Sequence, residues 1–288
     1  LRFGAHCKWE EINLVAIVSR NSVQPGEQKA LLSVAHQLAD SARAVILPFF
    51  RSNGLKTKSK ETVRFDPVTE ADKSAELAIR MALAKNRPED GILGEEYDDI
   101  PSKSGLTWVI DPIDGTRAFV SGAPTWGVLI ALADGEGPFL GLIDQPYISE
   151  RFIGGFGKAF CNGPQGESSL KTRTITDLSE TILFTTYPEV GREQDYKGFG
   201  VVKDRVKLVR YGMDCYAYAL LAAGQIDLVI EAGLKAYDIQ APIAVVEAAG
   251  GILTNWRGGA AHGGGQVVAA SNRELLEKVL LLLLPFAD

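Results

Sequence analysis

The sequence predicts a layered α/β fold in two parts, and three observations predict it. Two helical patterns and a set of hairpin-like apolar runs fill the first half, strand and helix patterns alternate in the second, and a polar stretch separates them. The 288 residues are 46% hydrophobic and 23% charged, which suits a globular protein with a sizeable core and argues against disorder.

The elements follow in chain order. Leu1 to Glu11 shows no usable periodicity and is expected to be a tail, within an N-terminal segment 1–27. Gln28 to Phe50 carries Leu31, Leu32, Ala35, Leu38, Ala42, Val45 and Ile46 at helical spacing and stops at Pro48, so a core helix is expected. Arg51 to Arg64 is polar, with Lys56, Lys58 and Lys60 alternating, and reads as a solvated hairpin or a mobile loop. Thr69 precedes a second helix from Ala71 to Lys85, which puts Asp72 in a first turn where an acid complements the helix dipole. Trp126 to Ala133 and Phe139 to Asp144, joined by Asp134-Gly135-Glu136-Gly137, form an antiparallel hairpin, to which Arg151 to Gly155 adds a strand. The polar residues from Gly163 to Ser179 mark the boundary between subdomains 28–170 and 171–288. Beyond it come a strand from Arg205 to Val209, a helix from Asp214 to Ala223, a strand from Ile226 to Ile230, and a helix from Asp238 to Ala249 closed by Gly250-Gly251.

Charge and cysteine content exclude several functions. A net charge of -6 without a Lys/Arg block argues against nucleic acid or an anionic membrane as partner. The three separated cysteines, Cys7, Cys161 and Cys215, support neither a disulfide framework nor a structural zinc site, and point to the cytoplasm. The longest apolar run, Val279 to Leu284, is far short of the ~20 residues a spanning helix needs.

The chemistry concentrates in Thr107 to Thr116, where an apolar run ends in Asp111, Asp114 and a Gly-Thr turn. Carboxylates at a strand end place hard oxygen ligands where α/β sheets bind ligands, and Glu95 and Asp238 complete an inventory suited to Mg²⁺. Each acid also has a structural explanation: Glu95 in a solvated loop, Asp114 in an Asx turn, Asp238 as a helix N-cap. Haloacid-dehalogenase-type phosphatases place their nucleophile and acid two residues apart. Asp111 and Asp114 are three apart, which suits shared metal ligation and attack by activated water.

Five ordered motifs add a resemblance. Asp66-Pro67-Val68-Thr69-Glu70-Ala71-Asp72, Gly94-Glu95-Glu96, Trp108 through Thr116, Gly157 through Gly163, and Tyr237-Asp238 ahead of Glu247-Ala248-Ala249-Gly250-Gly251 resemble the motifs of the inositol monophosphatase superfamily, from about residue 28 onward. The resemblance implies an αβαβα fold in two subdomains with the site between them, a homodimer, and two or three Mg²⁺ per active site. It implies that Glu95, Asp111 and the Ile113 carbonyl hold one ion and that Asp111, Asp114 and Asp238 hold another. Thr116 paired with Asp72 would orient the attacking water, with Glu95 near it, and the amides of Gly115 and Thr116 would bind phosphate.

Within the superfamily the second half resembles the histidinol-phosphate phosphatase branch, through Gly212-Met213-Asp214-Cys215-Tyr216-Ala217-Tyr218, Glu231-Ala232-Gly233-Leu234-Lys235, Arg117 to Gly122 and Asp144 to Tyr147. Met213 departs from that branch, which often has a second glycine there. Asp214 and Glu231 suit a small phosphorylated metabolite bearing an amine and an imidazole; the structural alternative for Asp214 is a helix cap. Tyr216 and Tyr218 lie two apart on a helix and face different ways, so core packing is expected to explain at least one. The expected activity is Mg²⁺-dependent hydrolysis of L-histidinol phosphate. The alternatives are an inositol or broad sugar-phosphate phosphatase and, more remotely, a non-catalytic metal- or metabolite-binding protein.

Overall fold

The computed structural model describes residues 23–52, 57–59, 67–187, 189 and 191–288, so the expected tail at 1–11 lies outside the described residues. Helix α1 (Pro25–Ile46) starts with a proline at its first position, where a missing N–H costs nothing, and buries Leu31, Ala35, Leu38, Ala42 and Ile46 along one stripe. Strands β1 (Thr57–Ser59) and β2 (Pro67–Thr69) pair antiparallel, which supports the hairpin alternative for this region; Lys56 and Lys60 lie outside the described residues. Helix α2 (Glu70–Asn86) buries Ala71, Ala75, Ile79 and Leu83 at four-residue spacing, and its small residues let it pack closely on α1.

Seven strands form the first sheet: β3 (Gly91–Gly94), β4 (Thr107–Asp114), β5 (Gly127–Asp134), β6 (Gly137–Gln145), β7 (Glu150–Gly155), β8 (Lys158–Gly163) and β9 (Gly166–Ser169). They lie in sequence order and pair antiparallel, save for β3 and β4, which run parallel. The polar stretch expected as a boundary is therefore partly strand: Gly166 to Ser169 pair with β8 at an exposed edge where no apolar alternation is needed.

Period-two geometry sorts the central strands between two cores. Trp108, Ile110, Val128, Ile130 and Leu132 pack under α1 and α2, while Val109, Leu129 and Ala131 face the other way. Asp111 is in step with Val109, so the strand aims it into the layer beyond the sheet.

That layer is made of α5 (Tyr216–Ala222) and α6 (Ala236–Ala248), whereas the short helix α3 (Thr116–Ser121) that follows β4 buries Ala118 and Phe119 in the first core. Helix α6 rests directly on glycines of the first sheet. A Cβ at Gly141 would stand 2.4 Å from the Ala241 carbonyl oxygen, and one at Gly154 2.4 Å from the Val245 Cα. Behind it lies a second sheet in the order β11 (Leu208–Tyr211), β10 (Ile182–Thr185), β12 (Leu228–Leu234), β14 (Gly265–Ala270), β13 (Ile252–Asn255). Helices α4 (Glu193–Lys203) and α7 (Arg273–Leu283) cover its far face, joining Leu183, Leu228, Ile230 and Val268 in one core. The order from face to face is αβαβα. The apolar run at Val279 to Leu284 is thus the end of an amphipathic helix and the turn after it. No helix among the described residues is long and apolar enough to cross a membrane.

Asp144, fully buried on β6, accepts bonds from the Arg43 Nε and Nη2 atoms at 3.1 and 2.7 Å and from the Arg151 Nε at 2.7 Å. It clamps α1 to the sheet. Asp144→Ala should cost about 3–5 kcal/mol, because Arg43 loses its carboxylate partner and the mostly buried Arg151 keeps only Asp40. Urea denaturation measures this, and a loss below about 1 kcal/mol would show that the pair is not a fastening.

Candidate active site

Two strand irregularities build the site. From Asp111 to Asp114 strand β4 advances three residues while its partner advances two, from Leu129 to Gly127, so β4 carries one extra residue beside Pro112. On a regular strand residues three apart point to opposite faces. The bulge reverses that parity and sends both carboxylates to the same side. Strand β12 repeats the device: Glu231 to Leu234 spans three residues against two from Val267 to Gly265. Glu231 is in step with Val229, so it enters the same middle layer from the opposite sheet.

Asp111, Asp114 and Asp238 converge, each offering a carboxylate oxygen within 4.8 Å of the others. Asp238 is not the N-cap expected from sequence. Lys235 caps α6, and Asp238 at the third helical position accepts its amide at 2.7 Å. Pro242 accordingly falls in the second turn rather than the first. The Ile113 amide donates to the Asp111 Oδ1 at 3.0 Å, and the Cys215 amide to the Asp114 Oδ2 at 2.6 Å. Burial, then the charges of Glu95, Asp114 and Asp238, push the Asp111 carboxyl well above its ordinary 3.8. Burial, then Asp214 and Asp238, does the same to Asp114. Glu95, half-buried at the end of β3, lies against Asp111 but outside the tight triad.

Hard oxygen donors this close fit a divalent cation such as Mg²⁺. The Ile113 carbonyl, the expected backbone ligand, accepts the Thr116 hydroxyl at 3.1 Å. Thr116 also approaches the Asp72 Oδ1 at 3.5 Å, a contact at the outer limit of a hydrogen bond. Asp72 does more than complement a dipole. Its Oδ2 accepts the Thr69 amide and hydroxyl, closing a capping box that presents Oδ1 to Thr116. Gly115 has φ +80°, and a Cβ there would stand 2.6 Å from the Asp214 Cγ, so no other residue fits this turn.

Asp214 does not cap the following helix, which begins at Tyr216; its backbone is left-handed at φ +49°. Its Oδ2 accepts the Thr125 hydroxyl at 2.6 Å, and burial pushes its carboxyl up against the opposing pull of Thr125 and Arg117. Glu231 accepts the Thr186 amide at 3.0 Å and the Tyr218 hydroxyl at 2.7 Å. Tyr216 turns the other way, to Glu150 and Phe152, so the expected divergence of the two tyrosines holds. The acidic triad, Glu95, Asp214 and Glu231 line one cleft of about 920 Å³, together with Arg117 and Lys235. Thr125 and Thr186 were not legible in the sequence as supports, because their partners lie 89 and 45 residues away in the chain.

The model of the inositol monophosphatase family matches residues 27–283. The chain belongs to the inositol monophosphatase family. It is 42% identical over 243 residues, 83% of this chain and 68% of the relative, to the bifunctional phosphatase IMPL2, chloroplastic, of Arabidopsis thaliana. It is 36% identical to a histidinol-phosphatase of Chlorobaculum parvum, covering 79% of this chain and 86% of that one. Among solved structures it resembles an inositol monophosphatase from Zymomonas mobilis at a TM-score of 0.79 and 38% identity, over 90% of this chain and 99% of that one. As an inositol monophosphatase-family protein it is a phosphatase, and enzymes of this family use Mg²⁺.

Asp111 and Asp114 hold protons more tightly in the folded chain than in the unfolded one. The metal-free fold therefore loses stability as pH rises from 3.8 through their raised values. Mg²⁺ should raise the thermal midpoint by several degrees at pH 8 and by less at pH 5. Asp111→Asn should abolish most of that shift without lowering metal-free stability. A Mg²⁺ shift that is equal at both pH values, or unchanged in Asp111→Asn, would remove this cluster as the ion site.

Proposed function

We propose that the protein hydrolyses L-histidinol phosphate to L-histidinol and phosphate. The observation that carries this reading is the placement of Asp214 and Glu231, two carboxylates with hydroxyl donors, in the same cleft as the acidic triad. Charge-assisted hydrogen bonds from an ammonium and an imidazole to these acids would select that substrate over a neutral polyol. The name of the Chlorobaculum relative supports the same choice.

When bound, Mg²⁺ held by Asp111, Asp114, Asp238, Glu95 and the Ile113 carbonyl would supply the charge that activates a water and neutralises phosphate oxygens. The chain's own groups do the rest. The Thr116 hydroxyl donates its hydrogen bond to the Ile113 carbonyl or to Asp72, so its oxygen is left to accept a hydrogen bond from a water and aim it. Glu95 stands beside Asp111 to take that water's proton. The amides of Gly115 and Thr116, at the turn after β4, would receive phosphate oxygens.

A second reading, hydrolysis of inositol 1-phosphate, is favoured by the likeness to the Zymomonas inositol monophosphatase structure. The proposal includes a homodimer, which a sedimentation mass equal to one chain would refute. It also includes a reducing compartment, either the cytoplasm or a plastid such as the Arabidopsis relative's name records.

Phosphate release from L-histidinol phosphate and inositol 1-phosphate, side by side with Mg²⁺ and with chelator, tests the reading. A Mg²⁺-dependent preference for histidinol phosphate is expected, and a preference for the inositol ester would overturn the assignment. Asp214→Ala should lower kcat/KM for histidinol phosphate at least ~10-fold more than for p-nitrophenyl phosphate, and equal losses would remove Asp214 from substrate selection.

A further inference from the structure

We propose that Tyr218 is a positioning residue for substrate selection, its hydroxyl holding the Glu231 carboxylate in the orientation that receives a cationic group of the substrate. The inference rests on the reading of Glu231 as a substrate contact and extends it by one residue. Tyr218, on α5, is 2% exposed, with its ring packed in the core between the sheets. Its hydroxyl donates to the Glu231 Oε2 at 2.7 Å while the Thr186 amide donates to Oε1 at 3.0 Å.

The terminal torsion of a glutamate is broad, so a carboxylate fastened at one oxygen still swings. One donor on each oxygen stops the swing. An ionised carboxylate has about four lone-pair sites, and these donors use two, which leaves the others for a ligand. Glu231 and Tyr218 both line the cleft.

Packing alone does not account for a tyrosine here. Phenylalanine would fill nearly the same volume without burying a hydroxyl, whose desolvation is compensated only by a partner. The neighbouring Tyr216 serves the opposite side of the helix, with its hydroxyl on Glu150 at 2.8 Å. The pairing of a hydroxyl with a cleft acid also recurs at Thr125 and Asp214.

Tyr218→Phe keeps the ring and removes one donor. The expected result is a KM for L-histidinol phosphate raised about 10-fold, with kcat within about 2-fold and both parameters for p-nitrophenyl phosphate unchanged. In a Glu231→Gln background, itself raised in KM, Tyr218→Phe should add nothing, because the two residues act as one unit. Equal losses on both substrates, or additive effects in the double variant, would overturn the proposal and leave Tyr218 a structural residue. If Glu231→Gln raises KM and Tyr218→Phe does not, this inference alone fails. If an active Glu231→Gln shows an unchanged KM, the reading of Glu231 fails and this inference falls with it. Should Tyr218→Phe not fold, Glu231→Asp carries the test, since a shorter acid keeps the charge but withdraws from the hydroxyl. Its KM must rise as far as that of Glu231→Gln, and a value near wild type overturns the proposal.

Discussion

Three carboxylates, Asp111 buried and Asp114 and Asp238 half-buried, held within 4.8 Å of one another impose the constraint around which this molecule is arranged. Like charges at that distance, partly withdrawn from water, oppose folding. The chain answers with directed backbone donors, from Ile113 to Asp111, Cys215 to Asp114 and Lys235 to Asp238. Each comes from a different kind of place: a strand bulge, the approach to a short helix, and a helix cap. A divalent cation would complete the balance, so the energetics of the cluster and the family's use of Mg²⁺ point the same way.

The two sheets contribute by the same rule. Alternation along β4 sends Asp111 into the middle layer, alternation along β12 sends Glu231 there, and in each strand one extra residue lets the chain leave the ladder at that point. The site lies between the sheets because that is where both strands can aim a polar side chain without losing their own hydrophobic faces. Its hydroxyl-bearing supports, Thr116, Thr125 and Tyr218, then fix orientations that the strands alone leave loose.

Much of this was legible in the sequence, and the failures have identifiable causes. The amphipathic helices α1 and α2 and the hairpin of β5 and β6 announced themselves through periodicity, and Asp111, Asp114 and Asp238 through their motifs. Strand β9 was hidden by its polarity, since an exposed edge has no face to bury. Helix α7 was unread because the apolar run at Val279 to Leu284 masked the amphipathic pattern preceding it. The parity of Asp111 and Asp114 depends on a bulge, for which Pro112 was the only local hint. The cap assigned to Asp238 was off by one turn because a lysine in extended conformation fills that place. Pairs such as Thr125 with Asp214, 89 residues apart, leave no trace in a single sequence.

Helix α6 gives the architecture a further property. It is pressed between two sheets, with glycines at 141 and 154 leaving no room for adjustment, and it delivers Asp238 from its first turn. Such a helix behaves as a ruler clamped at both edges. Adding or deleting one residue between Asp238 and its contacts on the sheet would turn the carboxylate by about 100° around the axis. This stretch therefore tolerates substitution far better than a change of length. Variation in loop length must accumulate elsewhere, and two proteins of this architecture can differ widely in what they accept while keeping the same spacing from Asp238 to the glycine pair at 250 and 251.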